Sequence, residues 1–314
     1  MTGLPGIRIS LKGLFQAAAI LVIVLSLATA LPIDHHALQL FTHFRLQYLV
    51  ASVLLLVVLA AWHEPRYAVA LFLVALFNAN FVLPWYFDEK PGVKGTEIKV
   101  LLANVLSTND DPAPLFKLIE AEQPDLVFLL EVSPQWARKL PAIGATFAHS
   151  IVEPRDGNFG IAMYSNLPVS SAATVDSSPL GFPTIVASLE IGGQSLQVVG
   201  THPMTPLGIQ NYDARNSQLN AVARLLQKAD GPRLLVGDLN ATLWDRQYGS
   251  LENRTWLRNV RQGFGLLPTW PTFMPPAMIP IDHMLVSDEI GVKDVRTGPA
   301  IGSDHLPLIA TITL

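Results

Sequence analysis

The chain has 314 residues, half of them hydrophobic and only 15% charged, with a mean hydropathy of +0.36 and a formal net charge of −4. That is too apolar for an ordinary soluble domain of this length. The absence of cysteine excludes a disulfide framework, a thiolate metal site and a cysteine nucleophile.

The apolar excess lies at the N-terminus, where uncharged runs rich in Leu, Val, Ala, Ile and Phe cover residues 13–33, 46–62 and 67–87. At about 1.5 Å per residue each is long enough, or nearly so, to cross a hydrocarbon core of about 30 Å. The first run alone also suits a secretory signal, but two more follow it and no small-residue cleavage site stands out. Three transmembrane helices are expected. Arg8 and Lys12 before the first place the N-terminus in the cytoplasm. Three crossings then make a multi-pass protein of the plasma (inner) membrane, with the rest of the chain extracytoplasmic or periplasmic. Trp62, Trp85 and Tyr86 suit an interfacial belt, and Asn78 and Asn80 suit helix-to-helix hydrogen bonds.

Residues 88–95, charged and containing Pro and Gly, read as a linker between this segment, 1–87, and a domain over 96–314. At up to about 3.6 Å per residue the linker reaches less than about 30 Å, which keeps the domain close to the bilayer. A first strand over 98–105 contains Asn104, a helix follows over 113–122, and Gln123-Pro124-Asp125 turns into the apolar strand 126–130, which ends at Glu131. A carboxylate directly after five apolar residues needs a partner, solvent or a metal, although it also suits the start of a helix at Pro134.

Short strand-like runs continue at 147–152, 160–164, 185–191 and 196–200, the last opening into His202-Pro203, and this spacing points to a sandwich of sheets. Residues 211–228 carry apolar side chains at helical spacing. The buried strand 233–236 then runs into Gly237-Asp238-Leu239-Asn240. In an extended chain Asp238 and Asn240 point to one side, offering a carboxylate and a carboxamide to a water and a phosphate oxygen, while Asp and Asn also mark plain turns. Arg246, Arg254, Arg258 and Arg261 form a basic cluster on an expected helix, readable as a contact surface or as a solvated face.

The proline-rich loop 270–280 carries Trp270, Phe273, Met274, Met278 and Ile279; it either folds over the core or forms an apolar rim, and it runs directly into Asp282. A strand follows over 283–286. Gly302-Ser303-Asp304-His305-Leu306-Pro307 enters the final strand, 308–314.

Asn104, Glu131, His202, Asp238, Asn240, Asp282, Asp304 and His305 thus all fall at or just beyond strand ends, where loops on a rigid scaffold carry chemistry. Through Pro124-Asp125-Leu126 to Glu131, Gly237-Asp238-Leu239-Asn240 and Ser303-Asp304-His305 the chain resembles the endonuclease/exonuclease/phosphatase superfamily, in a membrane-anchored bacterial type. The resemblance covers residues 96–314. It implies an α+β protein: a three-helix transmembrane segment followed by a deoxyribonuclease I-like, four-layer α/β sandwich, with metal-dependent phosphoesterase activity. It further implies that Glu131, Asn104 and Asp304 serve a Mg²⁺ (or Mn²⁺) site and that Asp238 orients or deprotonates the attacking water. Asn240 would donate to a phosphoryl oxygen, Asp282 would orient His305 near the scissile phosphate, and His202 would contact the phosphate or protonate the leaving group. Two departures stand out. Ala103 replaces the family's frequent Trp, and His202 stands where abasic-site nucleases carry Tyr.

The domain over 96–314 holds more Asp and Glu than Lys and Arg, which disfavours a grip on nucleic acid. The expected substrate is therefore a lipid head group or other small phosphoester at the bilayer. An extracytoplasmic nuclease and a non-catalytic binding module are the alternatives, and oligomeric state is not legible.

Overall fold

In the computed structural model, residues 10–31, 33, 35–87 and 95–314 are described, and the chain divides into two units, Met1–Leu83 and Pro84–Leu314. The expected linker lies almost wholly outside the described residues, as does Arg8, on which the expected orientation partly rests.

The first unit is helical: α1 (Leu11–Ala28), α2 (His36–Thr42), α3 (Arg45–Ala61) and α4 (Pro65–Val82). Ser10 caps α1 by accepting from the Gly13 amide at 3.0 Å, and Pro65 opens α4 where no amide donor is needed. By length and composition α1 and α4 can each cross a membrane, whereas α3 qualifies only jointly with α2, from which it is bent by 61°. Of the three expected spans, 13–33 and 67–87 thus correspond to single qualifying helices, while 46–62 coincides with α3, which counts as a span only together with α2. The break falls at His43-Phe44, after Thr42 turns its hydroxyl back to the Gln39 carbonyl at 2.6 Å. Asn78 donates to Ser26 of α1 at 2.7 Å, and Arg45 of α3 reaches its side-chain oxygen at 3.4 Å, so polar groups pin the apolar helices together.

The second unit opens with the short α5 (Pro84–Phe87). Then come β1 (Glu97–Asn104), α6 (Ala113–Glu122), β2 (Leu126–Leu130), α7 (Pro134–Lys139), α8 (Pro141–Gly144), β3 (His149–Glu153), β4 (Ile161–Ser165), β5 (Val169–Asp176), β6 (Pro183–Ile191) and β7 (Gln194–Thr201). The chain continues through α9 (Ile209–Gln227), β8 (Arg233–Asp238), α10 (Arg246–Thr255), β9 (Arg258–Asn259), β10 (Asp282–Val286), β11 (Gly291–Thr297) and β12 (Leu308–Thr313). The strands form two six-stranded sheets, ordered β11-β12-β1-β2-β4-β3 and β5-β6-β7-β8-β10-β9.

Alternation along β1 sends Ile98, Val100 and Leu102 into the core shared with Val198 of β7, Val236 of β8 and Met284 of β10. The intervening Leu101 and Ala103 face the opposite side, packed with Leu115, Leu118 and Ile119 of α6 and Trp136 of α7. Buried Leu219, Val222, Ala223 and Leu226 of α9 and Leu251 of α10 supply the apolar faces of the remaining helices. The architecture is a two-sheet α/β sandwich.

Strand direction makes the site. β1 runs parallel to β2 and antiparallel to β12, β7 runs parallel to β8, and β10 runs antiparallel to β8 with Asp282 opposite Asp238. The ends of β1, β2, β7 and β8 and the starts of β10 and β12 therefore share one edge of the sandwich.

Candidate active site

From the first sheet, Asn104 ends β1. Its Oδ1 accepts the Leu106 amide at 3.1 Å, so Nδ2 turns inward, donating to Glu131 Oε1 at 3.0 Å and lying 3.4 Å from Asp238 Oδ2 and from His305 Nε2. It is the nitrogen, not the oxygen, that Asn104 presents to the cluster. Glu131 follows β2 at a φ of 62°, a left-handed conformation costly for such a side chain and found mostly where function demands it. Its Oε2 accepts the Ser107 amide at 3.0 Å. Helix α7 begins three residues later and is capped by Ser133, so the reading of Glu131 as a helix-terminal acid does not apply.

From the second sheet, His202 leaves β7 with Nε2 3.4 Å from Asp238 Oδ2. A Cβ on Gly237 would lie 2.0 Å from the Thr201 carbonyl oxygen, so only glycine lets β8 approach β7 this closely beside Asp238. The Asn240 amide donates to Asp238 Oδ1 at 2.9 Å, and Asn240 sits at a φ of 47°. The chain is thus not extended there, as the sequence reading had it. The turn itself brings Asn240 Nδ2 to 3.4 Å from His202 Nε2, and Nδ2 also donates to the Pro203 carbonyl at 3.0 Å.

The last strands close the network. His305 Nδ1 lies 2.8 Å from Asp282 Oδ2, and its Nε2 lies 3.8 Å from Asp238 Oδ2. Asp304 is bound to the loop before β10: its Oδ2 accepts Trp270 Nε1 at 2.9 Å and its carbonyl accepts the Thr272 amide at 2.9 Å, while its buried Oδ1 has no partner among the described residues. Seven of the eight residues singled out in the sequence therefore form one contact network, and Asp304 adjoins it through Trp270, whose ring centroid lies 6.3 Å from that of His305.

Electrostatics follow from burial and the carboxylates. Burial opposes charge on His305, but Asp282, then Asp238 and Asp304, outweigh it and hold its pKa at about 9. Burial likewise disfavours charge on His202, and Asp238 with Glu131 still leaves its pKa raised. Asp282 is held below the usual carboxylate range against its own burial, chiefly by His305, with Thr269 and Arg261 adding. A protonated His305 locked on an ionised Asp282 results.

Glu131, Asp238 and Asp282 are buried here beside two imidazoles, with the Arg261 guanidinium adding to the balance at Asp282, and among the described residues Asp282 Oδ1 and Asp304 Oδ1 have no hydrogen-bond partner. Buried carboxylate oxygens left without a partner are costly, and as hard oxygens they suit a divalent cation such as Mg²⁺ or Mn²⁺, so the donor set fits the metal the family implies. Among the described residues, Asp238, Asp282 and His305 form an acid and imidazole group with ligand atoms within 4.8 Å of one another. The 2.8 Å contact inside it is better read as a hydrogen-bonded pair, which leaves Glu131 as the stronger candidate ligand.

Several supports were not singled out in the sequence. Arg215 of α9 is fully buried, donating to Asp245 Oδ2 at 2.9 Å and to the Asn240 carbonyl at 3.0 Å. Behind β10, His283 Nε2 meets the Ala241 carbonyl at 2.7 Å and Nδ1 meets Asn259 at 3.0 Å. Burial and Arg261 push the His283 pKa down to about 3, so it is neutral and ties down the chain just past Asn240. The basic cluster does not form one helix face: Arg246 and Arg254 belong to α10, Arg258 to β9, and Arg261 is fully buried. Alternating strand and turn geometry after Thr255 breaks the expected helix.

A two-sheet α/β sandwich with an acid and histidine cluster at one edge is the deoxyribonuclease I-like architecture. Residues 101–305 match the model of the endonuclease/exonuclease/phosphatase family, and the chain belongs to that family. No curated protein gives a significant match. Among solved structures, a humanized D. rerio TDP2 aligns with a TM-score of 0.60 at 18% identity, over 69% of this chain and 99% of that one. An endonuclease/exonuclease/phosphatase from Bacteroides vulgatus gives 0.60 at 18%, over 70% and 99%. The catalytic domain of human Nocturnin with bound sulfate gives 0.58 at 18%, over 72% and 96%. At such identities the likeness is one of fold.

Proposed function

We propose that the chain is a membrane-tethered, metal-dependent phosphoesterase of the bacterial plasma membrane, acting on a lipid head group or other small phosphoester. The observation that carries this reading is the meeting of Glu131, Asp238 and Asp282 with His202 and His305 at one edge, joined across the two sheets by Asn104.

A divalent cation held by Glu131, with the free Asp304 oxygen as a second candidate ligand, would supply neutralisation of the phosphoryl charge when bound. Asp238, already accepting the Asn240 amide, keeps Oδ2 turned to the centre, where it accepts the proton of an attacking water. Asn240 Nδ2 offers a hydrogen to a phosphoryl oxygen. His305, held protonated by Asp282, sets a fixed positive charge against the developing negative charge. His202, also raised in pKa, stabilises or protonates the departing oxygen. The acidic balance of the domain and the dispersal of the four arginines speak against a nuclease. A non-catalytic module would have no use for the whole set.

Glu131→Gln is the direct test of the metal ligand. In the full chain, the Mg²⁺ concentration for half-maximal hydrolysis of bis-p-nitrophenyl phosphate should rise by about tenfold or more. An unchanged Mg²⁺ response and EDTA sensitivity would make Glu131 structural.

Arg8 and Lys12 ahead of three crossings, with the bent pair of α2 and α3 counted as one, support an extracytoplasmic catalytic domain. An alkaline phosphatase fused after Leu314 should then be active in a bacterial host. A silent phosphatase with a fluorescent cytoplasmic reporter at the same point would reverse the orientation.

A further inference from the structure

We propose that three uncharged loops around the mouth of the site form an apolar collar that seats it on a lipid bilayer, so that the substrate is a phosphoester presented at a membrane surface. The seating stands on the loops themselves; the substrate class rests on the phosphoesterase reading above.

Each loop is attached to the site. In the loop between β5 and β6, Phe182 stacks on Phe159 at 3.6 Å, and the Phe159 ring lies 5.4 Å from that of His202. The loop between β7 and α9 begins at His202 itself. In the loop before β10, Trp270 and Thr272 bond Asp304, and the Thr272 hydroxyl donates to the Ser303 carbonyl at 3.2 Å.

Large apolar side chains stand out from all three: Leu180 from the first, Leu207 from the second with Ile209 at the start of α9 beside it, Phe273 (71% exposed) and Met274 from the third. Among described residues 95–314, Trp256 at the end of α10 is the other exposed large hydrophobic side chain. Loop 270–280 is divided, with Ile279 buried while Phe273 and Met274 project.

The projections are not loose ends. Prolines fix φ at 179, 183, 203, 206, 271, 275, 276 and 280, and turns close between Met274 and Pro271 at 3.2 Å and between Ala277 and Met274 at 2.9 Å. Rigid exposed hydrophobics lose little freedom on insertion, whereas in water they gain nothing.

Charge chooses the occupant. Residues 177–184, 203–212 and 270–281 contain no Asp, Glu, Lys or Arg. Protein partners are usually met by a polar rim that includes charge, while hydrocarbon excludes it. The same chain carries helices long and apolar enough to cross a membrane, and in sequence Leu83 alone separates the last of them, α4, from the second unit.

The chain lacks cysteine, so one introduced thiol is a unique labelling site. The full chain would be reconstituted in phosphatidylcholine and phosphatidylglycerol vesicles with an NBD fluorophore at Phe273→Cys, Leu207→Cys or Trp256→Cys. The collar requires blue-shifted emission, quenched by nitroxide-labelled lipid, at 273 and 207 but not at 256. Aqueous emission at 273 and 207, or lipid-like emission at all three, overturns it. In the parallel assay, the double variant Phe273→Ser, Met274→Ser should lose about 10- to 100-fold on vesicle phospholipid while bis-p-nitrophenyl phosphate hydrolysis holds within about twofold. Equal loss on both overturns the lipid substrate. Should the parent chain hydrolyse neither, the phosphoesterase reading fails with it, and the quenching result still decides the collar.

Discussion

Replacing Asp238 by Asn, or His305 by Ala, lowers turnover by about 10²- to 10⁴-fold, the span expected for loss of one acid–base or charge-stabilising participant. Asp238→Asn keeps the acceptor for the Asn240 amide and removes the proton acceptor turned to the site. His305→Ala removes the fixed cation and leaves Asp282 buried without the partner that now lies 2.8 Å away. Folding is the control. Asp238→Asn should leave the circular dichroism spectrum and melting temperature of the full chain near those of the parent, and activity equal to the parent in either variant would remove the assignment.

The second large effect is on stability. Arg215→Met should destabilise the catalytic unit by about 3 to 5 kcal/mol, the usual consequence of stripping one partner from a buried ion pair. Arg215 and Asp245 are both buried at 2.9 Å, and Asp245 also caps α10 by accepting the amides of Gln247 at 2.8 Å and Tyr248 at 3.2 Å. Without Arg215 a buried carboxylate remains, and the Asn240 carbonyl loses a donor. Adding Asp245→Asn removes the charge and keeps a residue that caps helices well, so the double variant should recover part of the loss in chemical denaturation. A single variant within about 1 kcal/mol of the parent would show that the pair contributes little.

Much of the sandwich was legible because its central strands are buried on both faces. Leu126–Leu130, buried throughout, gives the continuous apolar run that such a strand must have, and the polar residue that ends it is conspicuous. β5, with its exposed Ser171, Ala172 and Ala173, offers no such contrast, and it escaped notice. β11 was missed because a bulge between Val292 and Asp294 breaks its alternation. The apolar helices of the first unit were legible by composition, but the break between α2 and α3 depends on local hydrogen bonding that hydropathy does not report.

At the site, strand ends identified the residues and not their contacts. That Asp282 faces Asp238 is a matter of register between distant strands. That Asn104 offers nitrogen follows from a turn that engages its oxygen. Arg215 reads in sequence as one more charge on an amphipathic helix, since its partner lies in a loop after another strand. The projecting side chains of Leu180 and Leu207 belong to no motif, and only folding places the loop of Leu180 beside His202.

The central claim, metal-dependent phosphoester hydrolysis at this cluster, meets its most direct test in one titration. The purified full chain in detergent would be stripped with EDTA, then given Mg²⁺ while hydrolysis of bis-p-nitrophenyl phosphate and of vesicle phospholipid is followed beside the Asp238→Asn, His305→Ala double variant. At least one substrate should be hydrolysed in a reaction that EDTA abolishes, Mg²⁺ restores and the double variant lacks. Hydrolysis that survives EDTA, or that the double variant performs as well as the parent, would contradict the claim.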